Sequence, residues 1–243
     1  MRMVYKGEIR PISSLSAEEM VSIEARSLRQ IVRWSGIDNA ITVLEHTALV
    51  MMYACNILNS DFCVEKPDSF KLLHSLTKYW ALHHELDEAF GVGDIRSEIK
   101  DLVINREGLD EYKRALWQRL PHNPYETTLY EPQLIKTVVG PASVKEIIKL
   151  ADIVVGLGEA RLLVGSKSDC YDLYTSCEDK VKLCLTNVTL ADMVNRVTET
   201  VQRMLSLKNR EAWLLINEKM FHEDHKLALE CIRRAGTLEA TNA

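Results

Sequence analysis

Val43-Leu-Glu-His-Thr-Ala-Leu-Val-Met-Met-Tyr-Ala-Cys-Asn-Ile-Leu58 is almost wholly apolar after His46, as expected of a helix buried on most of its sides. The segments around it repeat apolar residues at intervals of three and four, which is helical spacing. Upstream, Ser16-Ala-Glu-Glu-Met20 places Glu19 three residues after Ser16, the pattern of a capping box. It opens a helix running toward Trp34, with Met20, Ile23, Leu28 and Ile31 as core positions, and Ser35-Gly-Ile-Asp-Asn39 breaks it. Downstream, Pro67-Asp-Ser69 caps a third helix through Leu72, Leu73, Leu76, Trp80 and His84 to about Phe90, where Gly91-Val-Gly93 ends it. Helices are predicted over Ser97 to Val103, Leu109 to Arg119 and Ser143 to Val164, with a loop from Pro121 to Pro132. From about Glu178 to Ala235 the chain reads as two or three more helices, with a break near Lys208-Asn209. No segment sustains alternation at period two, so the expected fold class is all-α.

Composition narrows the function classes. The chain has 243 residues, 47% hydrophobic and 27% charged, which suits a globular protein and excludes disorder over most of its length. A formal charge of −5 offers no bulk basic field for a polynucleotide. The longest apolar run, Thr47 to Leu58, is shorter than the ~18 residues a membrane-spanning helix needs. The first ten residues lack the apolar stretch of a signal peptide, so a cytoplasmic location is expected. Cys55, Cys63, Cys170, Cys177, Cys184 and Cys231 form no CxxC pair and read as reduced core residues, three of them on a seven-residue stripe.

Several ionisable residues stand inside apolar helices. His46 opens the run quoted above, and Asp152 interrupts Ile147-Ile-Lys-Leu-Ala-Asp-Ile-Val-Val155. A buried carboxylate is costly unless it is paired, hydrogen-bonded or bound to a metal. In Leu82-His-His-Glu-Leu-Asp-Glu-Ala89 the interval from His84 to Glu88 is four, which on a continuous helix puts both on one face with Glu85 adjoining. The spacing admits two readings, a common metal site or solvated charges around one core histidine. The pair His83-His84 can be read one register earlier, but the spacing to Glu88 and the flanking Glu85 favour His84 as the ligand. The pair His222 and His225, at i and i+3, reads as a solvated helix start rather than a second metal site. Trp213, Leu214, Leu215, Phe221 and Leu227 offer a packing or dimerisation face. His74 and His122 are expected on a helix surface and in a loop, and Trp80 and Trp117 in the core.

In order, Val43-Leu-Glu-His-Thr47, His84-Glu-Leu-Asp-Glu-Ala-Phe-Gly-Val-Gly-Asp-Ile95 and Lys149-Leu-Ala-Asp152 resemble the motifs of the HD-domain metal-dependent phosphohydrolases. The likeness is strongest to the YfbR-like 5′-deoxynucleotidases and phage deoxynucleotide triphosphohydrolases. It spans roughly Leu28 to Leu163 and takes in Arg33-Trp34, Gly93-Asp94, Lys100 and Glu159-Ala160. Glu85 stands where the family's motif has aspartate.

The resemblance implies an HD-type helical core over residues 16–165 and a C-terminal helical extension over 166–243, packed on the core or in a homo-oligomer interface. It implies one divalent ion held by His46, His84, Glu85 and Asp152, a donor set suited to Zn, Co or Mn, with Mg also admissible. Glu88 would orient or deprotonate the attacking water, and Asp94 would protonate the leaving 5′-oxygen. Arg33 and Lys100 would neutralise phosphate charge, and Trp34 would pack on the sugar or base. The expected reaction is hydrolysis of a (deoxy)nucleotide phosphate ester, with a small nucleotide as partner rather than a polynucleotide or membrane. The alternative is a catalytically degenerate HD domain serving as a binding or regulatory module.

Overall fold

The computed structural model describes residues 2–5, 8–34, 40–61, 67–92, 106–125, 144–163 and 190–241. The fold is all-α, with one two-stranded antiparallel hairpin, β1 (Arg2–Tyr5) and β2 (Glu8–Pro11), that the sequence reading did not anticipate. Among the described residues seven α-helices follow: α1 (Ala17–Gln30), α2 (Val43–Asp61), α3 (Pro67–Leu82), α4 (Arg106–Trp117), α5 (Val144–Leu163), α6 (Leu190–Leu205) and α7 (Arg210–Thr241). The predicted helix over 97–103, and Cys63, Cys170, Cys177 and Cys184, lie outside the described residues.

Both N-terminal helices start on reciprocal caps. Ser16 Oγ accepts from the Glu19 amide at 3.2 Å while Glu19 Oε2 accepts from the Ser16 amide at 2.9 Å. At α2 the same device is built from Thr42 and Glu45, the Thr42 amide donating to Glu45 Oε2 at 2.8 Å. The Arg210 guanidinium also donates to Glu45 Oε2, at 2.8 Å, and to the Ala40 carbonyl, pinning the start of α7 to the start of α2.

α5 packs between α2 and α6, and α7 lies along α3 while reaching α1 and α2. The buried face of α5 includes Ile147, Ala151, Val154, Val155 and Gly158. Gly158 is where α6 comes closest: a Cβ there would sit 2.6 Å from Val197 Cβ and 3.2 Å from the Thr198 amide nitrogen. Trp80 and Trp117 are buried, as expected, and Trp80 Nε1 donates to the His122 carbonyl at 2.9 Å.

The third helix departs from its expected course. α3 stops at Leu82, residues 83–85 form a turn, and a π-helical turn follows over Glu88–Val92. His84 and Glu88 therefore do not share the face of one continuous α-helix. Gly91 leaves the π turn at φ 130°, a conformation that disfavours residues with a Cβ. Tyr112 donates to the Phe90 carbonyl at 2.8 Å, and Lys113 pairs with buried Asp87 at 3.2 Å, so α4 fastens this segment from outside.

Of the apolar face proposed near the C-terminus, Phe221 is in the core and Trp213 is partly buried, whereas Leu215 and Leu227 are about half exposed, at 51% and 54%. Among the described residues no helix is long and apolar enough to cross a membrane.

Candidate metal centre

Three separate stretches of chain deliver four polar side chains to one point. His46 comes from the first turn of α2, His84 and Glu85 from the turn after α3, and Asp152 from the middle of α5. One ligand-type atom from each lies within 4.8 Å of the other three. His46 Nε2 is 3.2 Å from Asp152 Oδ1 and 3.8 Å from Glu85 Oε1, and His84 Nε2 is 3.4 Å from Glu85 Oε1. Donors held ~2.0–2.2 Å from one ion at tetrahedral angles stand about 3.4 Å apart, so the spacing fits a single divalent ion.

The far nitrogens of both imidazoles decide what faces the centre. His84 Nδ1 lies 2.7 Å from the Ala81 carbonyl, which can only accept, so Nδ1 carries a proton and Nε2 is the nitrogen turned to the centre. His84 Nε2 is buried and makes no hydrogen bond. His46 Nδ1 lies 2.6 Å from Glu159 Oε1, which directs the second imidazole in the same sense. A lone pair set against a carboxylate is unfavourable unless a cation joins them, and this donor set suits one.

In the metal-free chain a proton resolves the same conflict. Burial and the Arg33 charge press the His46 imidazole down, but the Glu159 and Asp152 carboxylates outweigh them and hold it up at about 9. Burial pushes the Glu85 and Asp152 carboxyls up. The His84 charge at Glu85, and the His46 hydrogen bond with the Lys149 charge at Asp152, overcome that and hold both well below the usual range. Lys149 Nζ lies 2.8 Å from Asp152 Oδ2.

Glu159, noted in the sequence only as context, is the organising carboxylate. It is completely buried, and besides His46 it accepts from Arg33 Nε at 2.9 Å and from Trp34 Nε1 at 3.2 Å. Burial raises its carboxyl, but Arg33 and His46 more than offset this and keep it ionised. The signal that could have found it is the interval of seven from Asp152, two turns along the same face of α5.

Arg33 and Trp34 reach the site because Val32 pairs with Thr42 in an antiparallel bridge, with the Arg33 amide donating to the Ile41 carbonyl at 2.9 Å. Arg33 Nη1 is also 3.8 Å from Glu85 Oε1. Trp34 holds φ at 58°, a left-handed conformation that costs a non-glycine residue energy and is retained where its surroundings compensate.

Glu88 is buried, at 3% exposure, on the π turn and is not one of the four clustered residues. Asp94 and Lys100 lie outside the described residues. His83 is bonded to Glu24 and His225 instead of joining the cluster, which answers the question of register. His222 and His225 are not a solvated helix start: α7 begins at Arg210, and His225 is buried against His83.

The fold and site together define a helical protein with a mixed imidazole and carboxylate cluster poised for one divalent ion. No family model and no curated protein matches the chain. Among solved structures it is similar to the cyanophage S-2L HD phosphohydrolase DatZ bound to dA and one catalytic Zn2+ ion, at 17% identity and a TM-score of 0.44. That similarity covers 74% of this chain and 95% of the other.

Proposed function

We propose that the protein is a metal-dependent phosphohydrolase acting on a small (deoxy)nucleotide, with His46, His84, Glu85 and Asp152 as the ligands of one divalent ion. The observation that carries this reading is the pair of imidazoles whose Nδ1 atoms are engaged by Glu159 and Ala81, leaving both Nε2 atoms beside the Glu85 and Asp152 carboxylates. A bound divalent ion supplies Lewis acidity toward a phosphoryl oxygen and lowers the pKa of water toward ~7.

The remaining roles belong to the chain's own residues. Glu88, buried and outside the cluster, serves as the carboxylate that orients or deprotonates the attacking water. Arg33, tied through Nε to Glu159, meets phosphate through its other guanidinium nitrogens, a geometry lysine cannot reproduce. Trp34 packs on the sugar or base. Asp94 as the acid for the leaving oxygen and Lys100 as a second phosphate contact complete the assignment. Residues 16–165 form the catalytic core, and α6 and α7 belong to the extension packed on it. The presence of Glu85 within the cluster supports a hydrolase over a degenerate binding module, since the longer carboxylate still lies beside both imidazoles.

The test is a panel of all ribo- and deoxynucleotides as mono- and triphosphates, incubated with Zn-, Co- or Mn-loaded protein, with phosphate, pyrophosphate and triphosphate measured separately. Metal-dependent turnover of a nucleotide, best for a deoxynucleotide, is the expected result. Metal-loaded protein that turns over none of them contradicts the reading.

A further inference from the structure

A second set of buried titratable side chains, joined to the turn that carries His84 and Glu85, has no part in the chemistry above. Glu24 on α1, His83 in the turn after α3 and His225 on α7 form one hydrogen-bonded line. His83 Nδ1 is 2.6 Å from Glu24 Oε2, and His83 Nε2 is 2.9 Å from His225 Nδ1. Glu24 and His83 are fully buried and His225 nearly so. Tyr79, Trp117 and Phe221 wall in the His83 ring, with centroids 4.9, 5.9 and 5.5 Å away.

Both ring nitrogens of His83 are thus engaged, one by a residue of α1 and the other by a residue of α7. Between His83 Nε2 and His225 Nδ1 one nitrogen donates and the other accepts, so the bond needs a nitrogen on each ring.

Such a line is an expensive way to fill a core. Three desolvated polar groups stand where leucines would pack, and Glu24 Oε1 and the Tyr79 hydroxyl are buried without any hydrogen bond. What distinguishes the place is its sequence neighbour. His83 is followed at once by His84 and Glu85, all three in a turn outside regular helix, so the helical ladder does not set their direction. His84 is otherwise oriented by a bond to Ala81 within the same short stretch. The long-range bonds of the turn's leading residue run instead to Glu24, 59 positions earlier, and to His225, 142 positions later.

We infer that His225, acting through His83, is a positioning residue of the metal centre, so that the C-terminal helix α7 sets the direction of His84 and Glu85. The inference rests on the metal-site reading above. It gives the C-terminal extension a task in the chemistry of the core. Residues behind metal ligands that orient them typically account for ~10–100-fold in metal affinity.

The experiment measures Co2+ affinity and the visible Co2+ spectrum of the full chain, with no nucleotide present, alongside thermal melting. His225→Phe keeps a ring of similar size against Tyr79 and His83 but removes the nitrogen that His83 bonds, while His225→Asn keeps a polar atom near the position of Nδ1. The phenylalanine variant should bind Co2+ ~10–100-fold more weakly with an altered spectrum, and the asparagine variant should recover most of the loss. Should the phenylalanine variant fail to fold, Glu24→Leu removes the other end of the line and should weaken Co2+ binding in the same way. Wild-type Co2+ affinity and spectrum in a folded His225→Phe or Glu24→Leu variant overturn the inference alone. A wild-type chain that binds no Co2+ overturns the metal reading and this inference with it.

Discussion

His46 Nδ1 and Glu159 Oε1 lie 2.6 Å apart at the centre of the helical body, both with no exposed surface. Through that contact one carboxylate on α5 turns the α2 imidazole toward Asp152, while its second oxygen takes bonds from Arg33 and Trp34. In the proposed assignment the metal side and the substrate side share this single anchor.

Replacing that anchor therefore acts on both sides at once. Glu159→Gln keeps the shape but not the charge that fixes His46 and Arg33. Metal affinity should fall ~10–100-fold, and KM for the best nucleotide should rise with it. Metal titration and steady-state kinetics on the same preparation measure the two effects, and a variant altered in neither has no anchoring carboxylate at 159.

Glu88 should separate catalysis from metal binding. It is buried beside the turn but stands apart from the four clustered residues. Glu88→Ala is expected to retain full metal content while losing the ~10²–10⁴-fold contributed by a general acid or base. Turnover at the wild-type rate would remove it from the mechanism.

Gly158 tests the close approach of α5 and α6. A methyl group there meets the Val197 side chain and the Thr198 amide, and relief requires the two helices to part. Gly158→Ala should cost ~1–3 kcal/mol in urea denaturation, the usual range for overpacking a filled core. A variant of unchanged stability would mean that the helices are free to separate.

Burial of the His83 and His225 imidazoles makes stability fall in mild acid. Both imidazoles are held near 3 when folded, so below about 6.5 the unfolded chain takes up two protons there that the folded chain refuses. The raised Glu24 carboxyl and the His46 imidazole, held up at about 9, bind protons more tightly when folded and offset part of that uptake. Between pH 6.5 and pH 5.5 the two depressed imidazoles set the sign, and stability falls with pH. His74, His122 and His222, also pressed down by burial, act in the same direction. Urea denaturation of chelator-treated protein should show lower stability at pH 5.5 than at pH 6.5, and equal or greater stability at pH 5.5 contradicts the neutral assignment.

What the sequence could convey followed from how local each determinant is. The Ser16 cap, the start of α2 at Val43 and the break near Lys208-Asn209 depend on neighbouring residues, and all are present. His46 and Asp152 stood out because an ionisable residue in an apolar helix needs a partner, and the fold brings the two within 3.2 Å. The end of α3 was not legible, since the spacing from Trp80 to Phe90 continues a helical pattern while His83 is held by partners 59 and 142 residues away. His225 looked solvated for the same reason. The hairpin left only the short Lys6-Gly7 connection as a sign, and Glu159 only its interval from Asp152.

The most direct test of the central claim is the metal content of the purified chain after reconstitution with Zn, Co or Mn, compared with His46→Ala and Asp152→Ala. About one ion per wild-type chain, lost in both variants while their helical content is retained, is the predicted result. No bound metal in the wild-type chain, or the same content in folded variants, would contradict it.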